Sequence, residues 1–340
     1  MVRFCRIVIR CLLPAVLATG ILITCASTAG AQITLSRQVT LMGSRFEITL
    51  ADKDSLHAKK HIDQVTGEVT RIENLISEWK PGTPVSEINR NAGIKPVQVP
   101  REVFDLTRRA IAYSEQSQGA FDISIAAMDR VWIFDGSMTE MPSAEVIRKS
   151  VEKVGYRNIV LDSTNSTVYL ALKGMKIGFG SIGKGYAADK GRELMRSLGV
   201  QGGIVNASGD LSAWGTPPDR KSWKIGIHNP FKPHRIIKVL KIREASVATS
   251  GSYEKYAEID GRRYSHIINP KTGYPSTGLT SVTVTGPSAE FANALSTSVM
   301  VLGEKEGIRL LKRFPKYGYV IVTNTGRILK GKKNNQLSGF

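Results

Sequence analysis

The sequence predicts an α+β fold, and three observations carry that expectation. Helical-period and strand-period segments alternate irregularly, without the steady strand–helix–strand rhythm of a doubly wound sheet. No internal repeat, low-complexity block or interdomain linker interrupts them. All three cysteines, Cys5, Cys11 and Cys25, lie at the extreme N-terminus, so the remaining chain must be held by an apolar core rather than by disulfides. With 309 residues beyond position 31, there is enough chain for one large domain or two intimate lobes.

Residues 40–50 (TLMGSRFEITL) read as a strand. From Ser55 to Trp79, Ile62, Val65, Val69, Ile72 and Ile76 recur at helical spacing, and a turn follows at Pro81–Pro84. A helix is expected from Arg101 to Ser117, stopped by Gly119; Ser143 is placed to cap another that ends near Gly155. Short strands are expected around Ile159, Val168 and Met175–Phe179, then a helix from Gly183 to Leu198 closed by Gly199. Further strands are expected near Ile204, Ile225, Val239, Val247 and Tyr264, and the alternation at 280–285 adds one more. Ser288 caps a helix running to Gly303, a further helix follows, and Tyr317–Val322 reads as the last strand.

Arg3, Arg6 and Arg10 precede an apolar run from Cys11 to Cys25, and Ala29-Gly30-Ala31 follows. That succession predicts a signal peptide over 1–31, cleaved before Gln32, and export to the periplasm. The alternatives are a retained membrane anchor or a lipid on Cys25, although Thr24 is larger than the residue lipoprotein sites place before their cysteine. The formal charge of +18 allows nucleic acid, an anionic membrane or a phosphate-bearing ligand. Basic residues are spread out and not interleaved with aromatics, and export argues further against nucleic acid.

Three segments carry candidate chemistry. GFGSIGKG at 178–185 follows an expected strand and opens an expected helix, a natural cradle for phosphate. It satisfies G-x-G-x-x-G through Gly178, Gly180 and Gly183, but lies mid-chain with its nearest suitable acid, Asp210, in another glycine turn. It also nearly satisfies a Walker A loop, except that Gly185 stands where Ser or Thr should follow Lys184. His266 ends a strand-like stretch just before a Pro/Gly turn, where a rigid strand delivers a side chain to a loop. Asn293 and Thr297 are four apart on an expected helix and offer hard oxygen ligands to a cation such as Mg2+.

Taken in order, MGSRFEI (42–48), SEW (77–79) with PVSEINRNAG, GAFDIS (119–124), GFGSIGKGYAADK (178–190), INPKTGYP (268–275) and ANALSTSVMVLG (292–303) resemble the FAD:protein FMN transferase (ApbE) family. The resemblance implies two packed lobes with FAD in the cleft between them. It places Met42, Trp79, Ala120, Phe121, Asp122, Gly178, Lys184 and Ile268 at flavin-site positions. It implies a metal held by the backbone carbonyl of Ser181 with Asn293 and Thr297, and a role in transfer for His266. Many members carry Asp where Gly178 stands, and most carry Asp where this chain has Asn293. The lost charge should weaken Mg2+ binding, and Asn293→Asp should restore it.

The implied reaction moves the FMN half of FAD onto a Ser or Thr hydroxyl of a separate acceptor protein, with release of AMP. Family acceptors carry Ser-Gly-Ala-Thr or Ser-Gly-Ala-Ser, which this chain lacks; an exported, membrane-associated electron-transfer subunit is the expected partner. The alternatives are a FAD pyrophosphatase giving FMN and AMP, and a flavin-binding protein that has lost transfer.

Overall fold

The computed structural model describes residues 32–252 and 255–331; the signal segment expected over 1–31 lies outside them. The described chain opens with β1 (Ile33–Leu41) and β2 (Ser44–Asp52), an antiparallel hairpin. Its turn is Met42-Gly43, both at positive φ, so the single strand expected over 40–50 is two strand ends joined by a turn. Met42 carries no turn signal, which hid the break.

Helix α1 (Ser55–Ile76) starts at Asp54, whose carboxylate accepts from His57 N–H, and buries Ile62, Val65, Val69, Ile72 and Ile76. It ends three residues before Trp79. Helix α2 (Pro84–Arg90) was not expected: Thr83 is its N-cap and Pro84 its first residue, so the same residues that read as a turn are start signals. Next come β3 (Val97–Gln98), α3 (Arg101–Gln116), a 3-10 turn at Ile123–Ala127, and α4 (Ala144–Ser150), capped by Ser143 as expected. Strands β4 (Ile159–Asp162) and β5 (Thr167–Leu170) join β3 in a small sheet of order β3-β5-β4.

Met175–Phe179 is not a strand. Met175, Ile177 and Phe179 are buried alternately, but the Asn89 side chain takes the place of a neighbouring strand. Its carbonyl accepts from Ile177 N–H at 2.8 Å and its amide donates to Ile177 C=O at 2.9 Å. A period-two pattern reports burial, not the partner.

Helix α5 (Ile182–Ser197) leads to β6 (Gly202–Ala207), β7 (Asp210–Trp214), β8 (Trp223–Asn229), β9 (Lys232–Ile242), β10 (Ala245–Gly251), β11 (Tyr256–Ile259), β12 (Arg262–Ser265) and β13 (Leu279–Gly286). Helix α6 (Ala289–Lys312), β14 (Gly318–Thr323) and β15 (Ile328–Gly331) complete the order. The helix expected to run to Gly303 and the further helix after it both form, because Gly303 has non-helical backbone (φ 75°, ψ −174°) and α6 is two helical segments joined there.

Eight strands form one antiparallel sheet, β1-β2-β6-β7-β10-β13-β14-β15. Alternate residues face opposite sides. Phe46, Ile48, Leu50, Val205 and Ala207 pack toward α1 and α5, in a core that continues into α3, β4 and β5. The smaller sheet and the large one therefore share one interior. On the other side, Ala51, Leu211, Ala213 and Val247 are covered by the β8–β9 hairpin through Trp223, Ile225, Leu240 and Ile242. Among the described residues no helix is long and apolar enough to cross a membrane.

Gly185, the residue that spoils the Walker pattern, is fixed by packing. A Cβ there would lie 2.6 Å from the backbone of Ala289, so α5 and α6 meet at a distance only glycine permits. Gly185→Ala is expected to cost about 1–3 kcal/mol in urea unfolding. Gly67→Ala in α1 meets open space, and should instead stabilise by up to about 1 kcal/mol. Equal effects at the two sites would mean that the α5–α6 contact is not close.

Candidate active site

The close crossing of α5 and α6 brings the glycine turn beside the first turns of α6. Around them converge the β6–β7 turn, the end of β10, the segment after β12 and the 3-10 turn. The cleft has a volume of 420 Å3, and its walls include Ala120, Phe121, Asp122, Ser181, Lys184, Asp210, His266, Ile268, Asn293 and Thr297. Expected site residues from Ala120 to Thr297, 177 positions apart, thus share one cavity.

Ser181 stands at the N-cap of α5 but makes no capping bond. Its hydroxyl instead donates to Asn293 Oδ1 at 2.6 Å and lies 3.4 Å from Thr297 Oγ1. Thr297 Oγ1 is 3.5 Å from the same Asn293 oxygen. Three side-chain oxygens therefore gather at the mouth of α5, with the Ser181 hydroxyl among them rather than the backbone carbonyl that the resemblance implies. The Asn293 amide points the other way, donating to Asp210 Oδ2 at 2.7 Å. That bond decides which end of the Asn293 side chain faces Ser181 and Thr297. Burial pushes the Asp210 carboxyl up to about 7, against the pull of the Asn293 hydrogen bond and the positive charge of Lys184.

His266 is exposed at the cleft edge, and its Nδ1 lies 3.1 Å from Lys255 C=O. A carbonyl only accepts, so Nδ1 carries the proton and Nε2 holds the lone pair of the neutral ring.

A second cavity of 370 Å3 adjoins the first, with Gly180 and Lys184 belonging to both. Met42 and Trp79 line it, together with Glu73, Glu78 and Phe179. Trp79 is 74 % exposed, with the Arg130 guanidinium over its ring. Phe121, also expected at a flavin-site position, lies in the other cavity and is only 2 % exposed, packed edge-on against Tyr113. Those two aromatics do not form one surface.

Two other expected positions have internal partners. The Asp122 carboxylate accepts from Ser124 N–H, Ser124 O–H and Tyr156 N–H, and burial raises its pKa in spite of those bonds. Gly178 lines neither cavity: a Cβ there would sit 2.8 Å from Glu78 Oε1 and 3.1 Å from Ala126 Cβ. Burial also raises the pKa of Glu78.

Sequence reasoning does not assign Asp210 or Glu78 to the site, and it includes Ser250 only through the 249–256 segment (TSGSYEKY) that precedes His266 as a candidate. Asp210 was weighed only as a ribose ligand for a dinucleotide fingerprint. Its signal is the positive-φ Ser208-Gly209 turn, which ends β6 and aims the next residue into the cleft. Ser250 reaches Thr297 Oγ1 at 3.2 Å from the neighbouring strand β10.

Residues 42–321 match the sequence profile of the ApbE family. A protein of Klebsiella pneumoniae named FAD:protein FMN transferase is 32% identical over 296 residues, covering 86% of this chain and 90% of its own length. One of the same name from Treponema pallidum is 31% identical over 272 residues, covering 75% of this chain and 74% of its own. Among solved structures, the ApbE protein of Thermotoga maritima superposes with a TM-score of 0.80 at 30% identity, covering 88% of this chain and 97% of that one. The flavinyl transferase ApbE of Pseudomonas stutzeri gives 0.78 at 29% identity, covering 89% and 96%. The α+β architecture, the ordered segments and these likenesses agree: the chain belongs to the ApbE family.

Proposed function

We propose that the protein transfers the FMN half of FAD to a Ser or Thr hydroxyl of an acceptor protein, with Mg2+ as its divalent cation. The observation that carries this reading is the gathering of Ser181, Asn293 and Thr297 oxygens in the same cleft as Lys184 and His266. The name FAD:protein FMN transferase, borne by relatives that align over most of their length, supports it.

The two adjoining cavities suit a ligand with two bulky ends, and Gly180 and Lys184 at their junction suit the pyrophosphate between them. The oxygens of Ser181, Asn293 and Thr297 fit a hard cation. They are neutral, so ligand phosphates and Asp210 behind them would provide the balancing charge. Bound there, Mg2+ would supply electrostatic stabilisation of the pyrophosphate as charge moves to the leaving AMP.

The acceptor hydroxyl gives its proton to His266 Nε2 as its oxygen bonds to the FMN phosphorus. The phosphorus–oxygen bond to AMP breaks, AMP leaves, and a flavin phosphoester remains on the acceptor. Lys184 holds the phosphates in place, and the Nδ1 bond to Lys255 C=O keeps the histidine in the basic tautomer. The proposed acceptor is a membrane-associated electron-transfer subunit with a Ser-Gly-Ala-Thr or Ser-Gly-Ala-Ser motif.

Incubation with FAD and Mg2+, with and without a peptide bearing that motif, tests the reaction. Peptide heavier by one FMN, with AMP in equal amount, is the expected product. Free FMN regardless of peptide would make the protein a pyrophosphatase, and unchanged bound FAD would make it a flavin-binding protein.

Periplasmic location is proposed from the Arg-rich, apolar and Ala29-Gly30-Ala31 succession. Mass spectrometry of the exported protein should find Gln32 at its N-terminus. An intact leader or a lipid on Cys25 would refute cleavage there.

A further inference from the structure

The β8–β9 hairpin covers the face of the large sheet opposite α1 and α5, packing on Leu211, Ala213 and Val247. Between residues 220 and 243 the sequence holds eight Lys and Arg and no Asp or Glu. Lys221 is beside Asp219, but Lys224, Lys232, Arg235, Lys238 and Lys241 form no ion pair among the described residues.

The inner face of the hairpin is apolar and seated on the sheet through Trp223, whose indole N–H donates to Trp214 C=O at 3.0 Å. The outer face is different. Lys224 pairs across with Lys241, and Gly226 with Val239. Register shifts at Ile227–Asn229 then bring His228 opposite Ile236, and Ile236 covers Gly226, where a Cβ would meet it at 3.3 Å. Val239 is 48 % exposed, Ile236 54 %, and Phe231 in the connecting turn 51 %. Apolar side chains thus stand exposed among unpaired cations on one projecting element.

We propose that this hairpin is a docking surface for an anionic phospholipid membrane. A bilayer interface takes both components at once. Its phosphates attract the cations, whose long stems can lie along the apolar zone, while Phe231, Ile236 and Val239 leave water. Nucleic acid would be served by several aromatics interleaved for stacking, and among the described residues of the hairpin Phe231 is the one exposed Phe, Tyr or Trp. An acidic protein could use the charge but would leave the spread of apolar side chains without a matched pocket. No residue of the hairpin lines the cleft.

The test uses residues 32–340, which form one compact unit, so the apolar leader does not contribute. Sedimentation with phosphatidylcholine vesicles is compared with vesicles that also contain phosphatidylglycerol. Binding is expected only with the anionic lipid and should weaken with salt. Each cation near such a surface raises partitioning about fivefold. Replacing Lys232, Arg235 and Lys241 by Glu should therefore lower it by more than about a hundredfold. The same three changed to Gln should lower it less, with thermal stability and FAD binding unchanged in both. Phe231→Trp should keep binding and shift its emission to the blue on vesicles, while Phe231→Ser weakens binding. Absence of anionic-lipid dependence, or equal binding by the Glu variant, would overturn the proposal. So would binding to soluble polyglutamate as tight as to vesicles with no emission shift, which would assign the surface to an acidic protein.

Discussion

His266→Ala is expected to slow FMN transfer to an acceptor peptide by about 10²–10⁴-fold, while FAD affinity changes little. The side chain is exposed at the rim of the cleft rather than packed within it, so its removal leaves no cavity in the core. Its Nδ1 lies against Lys255 C=O, which leaves Nε2 as the basic atom of the neutral ring, and the residue shares the cleft with Gly180 and Lys184. The loss should therefore appear in single-turnover transfer and not in the FAD dissociation constant. Exogenous imidazole should restore part of the rate in the Ala variant, because the missing function is proton transfer. Transfer at the parental rate in His266→Ala would remove the histidine from the proton path. A large loss of FAD affinity would make it a binding residue instead.

The elements with strong periodicity were legible from sequence: α1, α3, α5 and the first part of α6 lie within a few residues of their expected bounds. Elements defined by partners were not. The 175–179 segment has strand-like burial, but its backbone bonds go to Asn89, 88 residues away. The β8–β9 hairpin lies on the back of the sheet, which its two expected strands alone could not reveal. At the site, the residues placed by resemblance divide between two adjoining cavities, and Gly178 lines neither. Asn293 and Thr297 were legible as a helical pair, whereas Asp210 was not legible as their neighbour. That contact depends on Gly185 letting α6 approach α5, and on the β6–β7 turn aiming Asp210 inward.

That neighbour reverses the expectation drawn from Asn293 alone. Asn293→Asp by itself should give little gain in Mg2+ binding, because its new carboxylate would face Asp210 where the amide now donates at 2.7 Å. Two carboxylates in hydrogen-bond contact with no donor between them share a proton, so little net charge is added. The exchange Asp210→Asn with Asn293→Asp keeps the hydrogen bond, with the amide now donated from position 210, and moves the charge onto the side chain beside Ser181 and Thr297. It should lower the Mg2+ concentration for half-saturation of the FAD complex by about tenfold, since a hard cation responds to ligand charge. Asp210→Asn alone should raise that concentration, having lost the charge while the new amide oxygen can still accept from Asn293. Calorimetric titration of Mg2+ measures this without turnover. Stability of the cation-free protein provides a second reading of the same buried carboxyl. Its folded pKa of about 7 exceeds the ordinary 3.8, so the folded state holds a proton that the unfolded chain releases. The associated stability is complete below about pH 4 and is lost as pH rises through 7, by roughly 4 kcal/mol at most. Asp210→Asn should remove that slope, and so flatten the fall in melting temperature between pH 4 and 7. If the single Asn293→Asp binds Mg2+ as tightly as the exchange variant, and Asp210→Asn leaves the pH profile unchanged, Asp210 does not control the site.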